Sequence, residues 1–191
     1  MVKYLGIIID NKLSWSHHVK SIKQKISQGI GILHSTKHLI PPKLLLSLYF
    51  SFIQSHILYG IIAWGSPFTQ LTELNKLLHK CIKIVTLRTE ANILNINQLY
   101  QIECCKLIFN HLNKTLPHTI SSLFQTSDQI HNHNTRQAVH RGMYVPHLNR
   151  FFPVQSLASR FWNTHCLDIF STTTTKRCFV NKLKTKLLIP N

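Results

Sequence analysis

The stretch VKSIKQKISQGIGIL, residues 19–33, predicts an amphipathic helix. Its apolar residues recur at three- and four-residue spacing and share one stripe about 100° wide: Val19, Ile22, Ile26, Ile30 and Leu33. Lys20, Lys23 and Lys25 lie mostly off that stripe. The helix is therefore expected to have an apolar inner face and a basic outer surface, with Ser14 or Ser16 as its cap. Gly29 and Gly31 weaken it by roughly 1 kcal/mol each unless close packing uses them.

A long uncharged segment follows the prolines Pro41 and Pro42, which end the first helix and start the next. Residues 44–64 contain no charged side chain and approach the roughly 20 apolar residues that span a bilayer. Their polar residues, however, fall on one helical face: Ser47, Ser51, Gln54 and Ser55. This stripe favours a helix buried in a bundle. A membrane-associated helical protein anchored by residues 44–64 is the alternative.

A third helix is predicted after the Trp64–Pro67 break, with Thr69 or Thr72 as its cap. Its apolar stripe comprises Leu71, Leu74, Leu78, Cys81 and Val85, whereas Lys76, Lys80 and Lys83 share the opposite face and Arg88 follows. Glu73 is the only acid on this helix, so salt bridges explain little of the pattern. Two successive helices with lysine-lined outer faces indicate a surface that follows a phosphate backbone, although solvated lysines are the plain alternative.

The second half of the chain predicts further helices around an irregular segment. A fourth helix runs from Asn97 or Gln98 to about Asn113, and Leu116-Pro117 closes it. From there to about Phe152 the chain is polar without a clear period, which indicates an irregular basic arm. Two short helices follow, Ser156 to Asn163 and Lys176 to Leu188, with Thr175 as the cap of the second. The expected fold class is mainly α.

The opening run KYLGIIID, residues 3–10, predicts one short β-strand ahead of these helices. A strand needs partners for its backbone donors and acceptors, and the residues that follow are predicted to be helical. We therefore expect its partners to lie upstream, in a larger protein of which this chain is the C-terminal piece. A further interpretation is that the chain does not fold without those strands.

The composition points to a polyanionic partner. Lys and Arg number 22 against 6 Asp and Glu, a net charge of +16, for which nucleic acid is the expected partner and sequence drift the alternative. The acids are scattered singly, which disfavours carboxylate catalysis and two-metal chemistry: Asp10, Glu73, Glu90, Glu103, Asp128 and Asp168.

Metal binding and disulfides are not predicted. The five cysteines lack a CxxC pair, and no secretory leader is recognisable at Met1, so we expect reduced thiols and an intracellular protein of the nucleus or cytoplasm. His131 and His133, with His165-Cys166 or Cys104-Cys105, lack the spacing of a zinc finger or knuckle. We expect no metal, no cofactor and no small-molecule substrate.

Three separated stretches carry a family resemblance. The first is residues 3–10 followed by LSWSHHV, residues 13–19; the second is LYGIIAWG, residues 58–65, leading to LNKL, residues 74–77, and KCIKIV, residues 80–85. The third is HNHNTR, residues 131–136, then Phe161-Trp162-Asn163 and FVNKLK, residues 179–184. In this order they resemble the C-terminal part of the reverse transcriptase of non-LTR retrotransposons of the jockey and chicken-repeat type.

The resemblance implies a division into three parts. Residues 1–12 would be the end of the last palm strand, 13–115 a thumb-like helical bundle that holds the template–primer duplex, and 116–191 a C-terminal extension. The paired aspartates and the Mg²⁺ of the parent polymerase belong upstream, so no enzyme activity is expected of this chain alone. Departures from the family include Ala158-Ser159-Arg160 in place of a glycine-proline pair, Thr164-His165 in place of Leu-Pro, and a short Leu87–Asn97 connection.

We predict that the basic side chains contact the backbone of RNA or DNA without reading sequence. Tyr4 or Trp15 could stack on a base or sugar, although aromatic side chains at such places more often pack in a core. Arg136 is the candidate for a contact from the arm. The predicted nucleic-acid-binding residues are Lys3, Tyr4, Lys20, Lys23, Lys25, Lys76, Lys80, Lys83, Arg88, Arg136, Lys182 and Lys184.

Overall fold

The structure, a computed structural model, describes residues 1–87, 91–130, 142–149, 152–173 and 175–188. It is mainly helical, with two short antiparallel strands at the N-terminus, which confirms the predicted fold class. The strands are β1, Val2–Tyr4, and β2, Ile7–Ile9. The described helices are α1 Ser16–Thr36, α2 Pro42–Tyr49, a π-helical turn Phe50–Gln54, α3 Ser55–Leu58, α4 Ile61–Trp64, α5 Thr72–Thr86, α6 Ile96–Leu112, α7 His118–Ser121, α8 Ser127–Ile130, α9 Val154–His165, α10 Leu167–Ser171 and α11 Lys176–Leu188.

The chain divides into two compact units, residues 1–99 and 100–191. The first unit contains the hairpin and α1 to α5. The second contains most of α6 and the helices after it. Each unit has its own buried apolar residues.

The N-terminal hairpin corrects the prediction of one strand that needs an upstream partner. Val2 pairs with Ile9, Lys3 with Ile8 and Tyr4 with Ile7, so β1 supplies the partner of β2 within the chain. Leu5 and Gly6 form the turn and both have positive φ, 46° and 82°. Positive φ at both central residues is what a two-residue hairpin turn of type I′ requires, and Gly6 adopts that conformation without steric cost. Residues 2–9 are therefore a hairpin, where the sequence interpretation expected one strand over 3–10.

Asp10 organises the entry into α1. Its carboxylate accepts hydrogen bonds from the backbone N–H groups of Lys12 at 2.9 Å, Ser14 at 3.0 Å and Trp15 at 3.0 Å. These hydrogen bonds hold the pKa of Asp10 below its ordinary value, and the bond from the Ser14 N–H has the largest effect. The residue before the helix is Trp15, at φ 61°, rather than a serine. The Ser14 hydroxyl donates to the Asp10 carboxylate at 3.0 Å and accepts from the Ser16 N–H at 3.4 Å, and neither serine caps the helix.

Helix α1 is the centre of the first unit. It contacts β2, α2, the π-helical turn, α3 and α5. The predicted stripe is buried at Val19, Ile22, Ile26 and Leu33 and half-buried at Ile30. His18 and Gly29 are also buried on this helix, although the apolar pattern did not include them.

The uncharged segment is one continuous helical run only as far as Leu58. Gly60, at φ 62°, then starts the separate turn α4, which corrects the expectation of one helix over 44–64. Its core residues repeat every four positions and are at most 1% exposed: Leu45, Tyr49, Ile53, Ile57 and Ile61. In a regular α-helix a four-residue repeat drifts around the axis, and the wider π turn takes up part of that drift.

The polar stripe of this segment is exposed at Ser51 and Ser55 and half-buried at Gln54, as a core helix requires. Within the described residues, no helix has the length and apolar character needed to cross a bilayer. The structure therefore gives no support to the alternative of a membrane anchor at 44–64.

The π-helical turn packs directly on Gly29. A Cβ atom at this position would lie 2.5 Å from Ile53 Cδ1 and 3.2 Å from the Phe52 carbonyl oxygen. At Gly31, by contrast, a Cβ atom would have no neighbour within 4 Å. Close packing thus requires a glycine at position 29, whereas Gly31 lowers the helix propensity of α1 without a packing reason.

The apolar stripe of α5 is confirmed, but its predicted caps are wrong. Leu71, Leu74, Leu78, Cys81 and Val85 are all buried. The residue before the helix is Leu71, without a side-chain cap, and Thr72 is already helical. Thr69 instead donates its hydroxyl to the Trp64 carbonyl at 2.7 Å, which closes the turn between α4 and α5.

Helix α6 begins one to two residues earlier than predicted because Asn95 caps it. Asn95 Oδ1 accepts from the Gln98 N–H at 2.9 Å, and Gln98 Oε1 accepts from the Asn95 N–H at 2.9 Å. This reciprocal pair has the geometry of a capping box. The helix ends at Leu112, before Lys114 at φ 56°, so Leu116-Pro117 is not the residue pair that stops it.

Aromatic rings form the core of the second unit. Phe179 stacks on Phe109 with ring centroids 4.7 Å apart, and Trp162 lies 5.6 Å from Phe179 and 5.2 Å from Phe170. Phe161 contacts Tyr100 edge-on at 6.2 Å. Trp162 and Phe179 are fully buried. Two of the sequence motifs that carry the family resemblance therefore supply this core.

Asn163 clamps an irregular segment to α9. Its Oδ1 accepts from the Met143 N–H at 2.8 Å and its Nδ2 donates to the Met143 carbonyl at 2.7 Å, as a neighbouring β-strand would. Met143 also forms an isolated antiparallel bridge with Thr126. The backbone around Met143 is thus fixed by hydrogen bonds on two sides.

The predicted irregular arm contains structure at both ends. Its first part forms the single helical turns α7 and α8, which corrects the expectation of no helix there. The short helix α10 was also not predicted. Helix α11 has its predicted bounds, and Thr175 caps it, with Oγ1 3.3 Å from the Cys178 nitrogen.

The contrast between the two glycines of α1 yields a paired stability test. Gly31→Ala should stabilise the first unit by about 0.5–1 kcal/mol through helix propensity alone. Gly29→Ala should destabilise it by about 1 kcal/mol or more, because overpacking costs about 1–3 kcal/mol and outweighs the same propensity gain. Urea denaturation followed by circular dichroism measures both, and equal shifts for the two variants would contradict the close packing at Gly29.

The Asn163 clamp gives a second test. Asn163→Ala removes both hydrogen bonds to Met143 and should destabilise the second unit by roughly 1–3 kcal/mol. Asn181→Ala is the matched control, since Asn181 is also helical but exposed. Because Trp15 and Trp64 also fluoresce, urea denaturation is followed by the indole NMR signal of Trp162. The clamp is unimportant if both variants unfold at the same urea concentration.

Candidate nucleic-acid interface

The structure places five of the predicted lysines on the outer sides of α1 and α5, which pack against each other. Lys20, Lys76, Lys80 and Lys83 are exposed, and the Lys23 side chain is 34% exposed. Lys76, Lys80 and Lys83 are spaced by four and three residues, so they share one face of α5. We call these five residues, Lys20, Lys23, Lys76, Lys80 and Lys83, the basic face.

Glu73 joins the two helices of the basic face. Its Oε2 lies 3.5 Å from Lys23 Nζ on α1, and its Oε1 lies 3.5 Å from Lys76 Nζ on α5. The two ammonium groups, with Lys76 contributing more than Lys23, hold the pKa of Glu73 below its ordinary value. All three side chains are accessible to solvent, so the cluster contributes little to stability. Its consequence is positional, because it draws lysines of two helices to one carboxylate.

A shallow groove lies beside this cluster. It has a volume of about 520 Å³ and is lined by Lys20, Lys23 and Glu73 together with Phe68, which is 44% exposed. Ser14 and Ser16 close the end at the start of α1. Sequence reasoning missed Phe68, although an aromatic residue directly after the Gly65-Ser66-Pro67 turn is a recognisable signal. An exposed ring next to ammonium groups can stack on a base while the lysines contact phosphates.

Lys25 does not belong to the basic face. It follows Lys23 by two residues, which is about 200° around a helix, and it lines a different pocket with His18 and His56. Helical geometry thus divides the three lysines of α1, which the sequence interpretation had grouped together. Lys20 and Lys23 lie toward α5, and Lys25 lies toward α3.

The hairpin carries Lys3 and Tyr4 on β1, where every residue is exposed. Tyr4 is 65% exposed, so it is not a core residue, whereas Trp15 is half-buried at the start of α1. Tyr4 is therefore the one of the two aromatic candidates whose ring is available for stacking. Arg88 and Arg136 lie outside the described residues.

In the second unit, two lysines of α11 form hydrogen bonds with other residues of the protein. Lys182 Nζ donates to the Thr172 carbonyl at 3.3 Å and to its hydroxyl at 3.1 Å, and Lys186 Nζ donates to the His165 carbonyl at 3.1 Å. Each lysine satisfies a carbonyl at or just after the C-terminal end of a helix. Lys184 is half-buried. Of the two predicted binding residues on this helix, Lys182 is thus hydrogen-bonded within the protein and Lys184 is only partly accessible to a ligand.

The histidines and cysteines of the described residues were the candidates for metal binding and thiol chemistry. Among them, no three His, Cys, Asp or Glu side chains come together as metal ligands; His131 and His133 lie outside them. Cys81, Cys104, Cys105 and Cys166 are buried free thiols. Burial raises the pKa of Cys81 and of Cys104 to about 12, so both remain protonated at neutral pH.

Comparison of the chain with protein families, with curated proteins and with solved structures finds no match. The family resemblance therefore stays a prediction, and the observations that bear on function are the charge and geometry of these surfaces.

The geometry of Glu73 predicts a pKa that depends on one neighbour. Lys76→Gln should raise the pKa of Glu73 toward its ordinary value, with Lys23 retaining part of the effect. Because the folded pKa is lowered, the stabilising contribution exists above the unfolded pKa and is lost as pH falls through the folded pKa. NMR titration of the Glu73 side-chain carboxyl measures this, and Lys80→Gln is the control. Equal shifts in the two variants would contradict the ion pair.

Proposed function

We propose that residues 1–99 bind nucleic acid through the basic face, as the thumb of a non-LTR reverse transcriptase holds a template–primer duplex. The chain would act as a binding remnant of such an enzyme, without polymerase activity of its own. The observation that carries the proposal is the arrangement of five lysines on two packed helices, with Glu73 as their only acidic partner among the described residues.

The distribution of charge supports a polyanionic partner. Asp10 and Glu73 are the acidic residues of the described part of the first unit, and Asp10 is engaged by the backbone of residues 12–15. Lysines whose neighbours do not neutralise them create a positive field that attracts phosphates from a distance. Such contacts give affinity without sequence readout.

Phe68 and the groove beside it support a nucleic acid rather than a simple polyanion. A ring that is 44% exposed between Lys20 and the start of α5 offers a stacking surface at the edge of the charged area. Backbone phosphates can lie along Lys76, Lys80 and Lys83, which extend over about 10 Å of the α5 axis. Contacts to the 2′-hydroxyl distinguish RNA from DNA, and the RNA–DNA hybrid is the natural first ligand for a thumb.

A charge-matched pair of variants tests this proposal. Binding of a labelled RNA–DNA hybrid should weaken steeply with salt, and Lys76→Gln, Lys80→Gln and Lys83→Gln together should reduce the log–log salt slope by about 2–3 units. Fluorescence anisotropy between about 50 and 200 mM salt measures the slope.

The control removes an equal number of charges elsewhere in the first unit, by Lys12→Gln, Lys37→Gln and Lys43→Gln. This variant should keep most of the original slope, because its lysines lie outside the basic face. If the salt slope falls by the same amount in both variants, binding depends on net charge alone and the basic face is not the site. Circular dichroism of each variant checks that the helices remain.

A further inference from the structure

A second pocket of the first unit lies apart from the basic face. It has a volume of about 360 Å³ and lies between the hairpin turn, α1 and α3. Helix α1 contributes His18, Ile22 and Lys25 to its lining. These residues are spaced by four and three positions and therefore share one helical face. The opposite side consists of Gly6, Ser55, His56 and Tyr59.

The pocket has positive charge without an acidic counterpart. Neither acidic residue of the described part of the first unit lines it: Asp10 binds the loop before α1, and Glu73 binds Lys23 and Lys76. Burial, and after it the Lys25 ammonium, lowers the pKa of both His18 and His56. At neutral pH the walls therefore carry one ammonium group and two neutral imidazoles, each a hydrogen-bond donor.

His18 is fixed with one nitrogen unsatisfied. Its Nδ1 accepts the Ile8 N–H at 3.4 Å, which assigns the ring proton of the neutral form to Nε2. The residue is 4% exposed and contacts Trp64 edge-on at 5.6 Å, and Nε2 has no hydrogen-bond partner among the described residues. A buried donor without an acceptor is unfavourable, and a bound acceptor in the adjoining pocket would relieve that cost.

We propose that this pocket binds a phosphate group, with Lys25 and His56 as its direct contacts and His18 as the donor in the buried wall. Phosphate fits this arrangement better than a carboxylate, since its additional oxygens can accept from donors on both sides of the pocket. The hydroxyls of Tyr59 and Ser55 already donate to the Leu5 and Ser51 carbonyls, so the anion depends on the nitrogen donors. The proposal stands whether or not the basic face binds nucleic acid.

The test follows the histidine side chains of the full chain by NMR as inorganic phosphate is added at constant ionic strength. The pKa of His56 should rise toward or above the ordinary value of 6.5, because a neighbouring anion favours the imidazolium. His18 should shift in the same direction, and its signal is identified by proximity to Trp64. His56→Gln assigns the other signal, and chloride is the reference anion.

Lys25→Gln is the decisive variant, with Lys43→Gln as its charge-matched control outside the pocket. Lys25 is exposed, so its loss should not unfold the helix. We expect Lys25→Gln to weaken phosphate binding about tenfold or more and Lys43→Gln to leave it nearly unchanged. Shifts no larger than with chloride, or equal weakening in the two variants, would overturn the proposal.

A parallel titration with the RNA–DNA hybrid identifies the source of the phosphate. If the hybrid moves the His56 signal and competes with inorganic phosphate, the pocket takes a phosphate of the nucleic acid. If inorganic phosphate binds and the hybrid leaves His56 unchanged, the pocket takes a free phosphate or a small phosphate ester. Both results support a phosphate site, and the anisotropy measurement on the basic face remains independent of them.

Discussion

The first unit depends on the burial of one face of α1. Elements from both sides in sequence pack on that face, and the π-helical turn packs on Gly29, where an added Cβ would lie 2.5 Å from Ile53 Cδ1. Burial of Ile22, Ile26 and Leu33 fixes the rotation of the helix. Once that rotation is fixed, the direction in which each lysine of the helix points is fixed as well.

The two candidate sites of this unit are consequences of the same rotation. Lys20 and Lys23 lie toward α5, where Glu73 gathers Lys23 with Lys76. Lys25, about 200° from Lys23, lies toward α3 and the two histidines. One amphipathic helix thus presents cations on two sides, and the single acidic residue described at the basic face leaves its field strongly positive. The helix serves both as the main support of the core and as a source of the charges.

The residues that carry the family resemblance have largely structural roles where they are described. Trp64 is buried and closes a turn, Trp162 and Phe179 form the aromatic core of the second unit, and Asn163 holds Met143. At these positions the motifs specify packing rather than chemistry. The proposed binding function depends instead on Lys76, Lys80 and Lys83, whose role comes from exposure.

The helices with strong apolar periodicity could be predicted from the amino-acid sequence alone. The stripes of α1 and α5, the bounds of α11 and the exposed lysines of α5 follow from three- and four-residue spacing, because an amphipathic helix must bury its apolar face. Other features depend on tertiary contacts and could not be predicted in this way. A turn at Leu5-Gly6 pairs the two halves of one predicted strand as a hairpin, and Asp10 binds the backbone ahead of α1, which has no side-chain cap. The elements packed on α1 set which pocket Lys25 lines. These outcomes depend on contacts between residues distant in the chain or on backbone angles that composition does not encode.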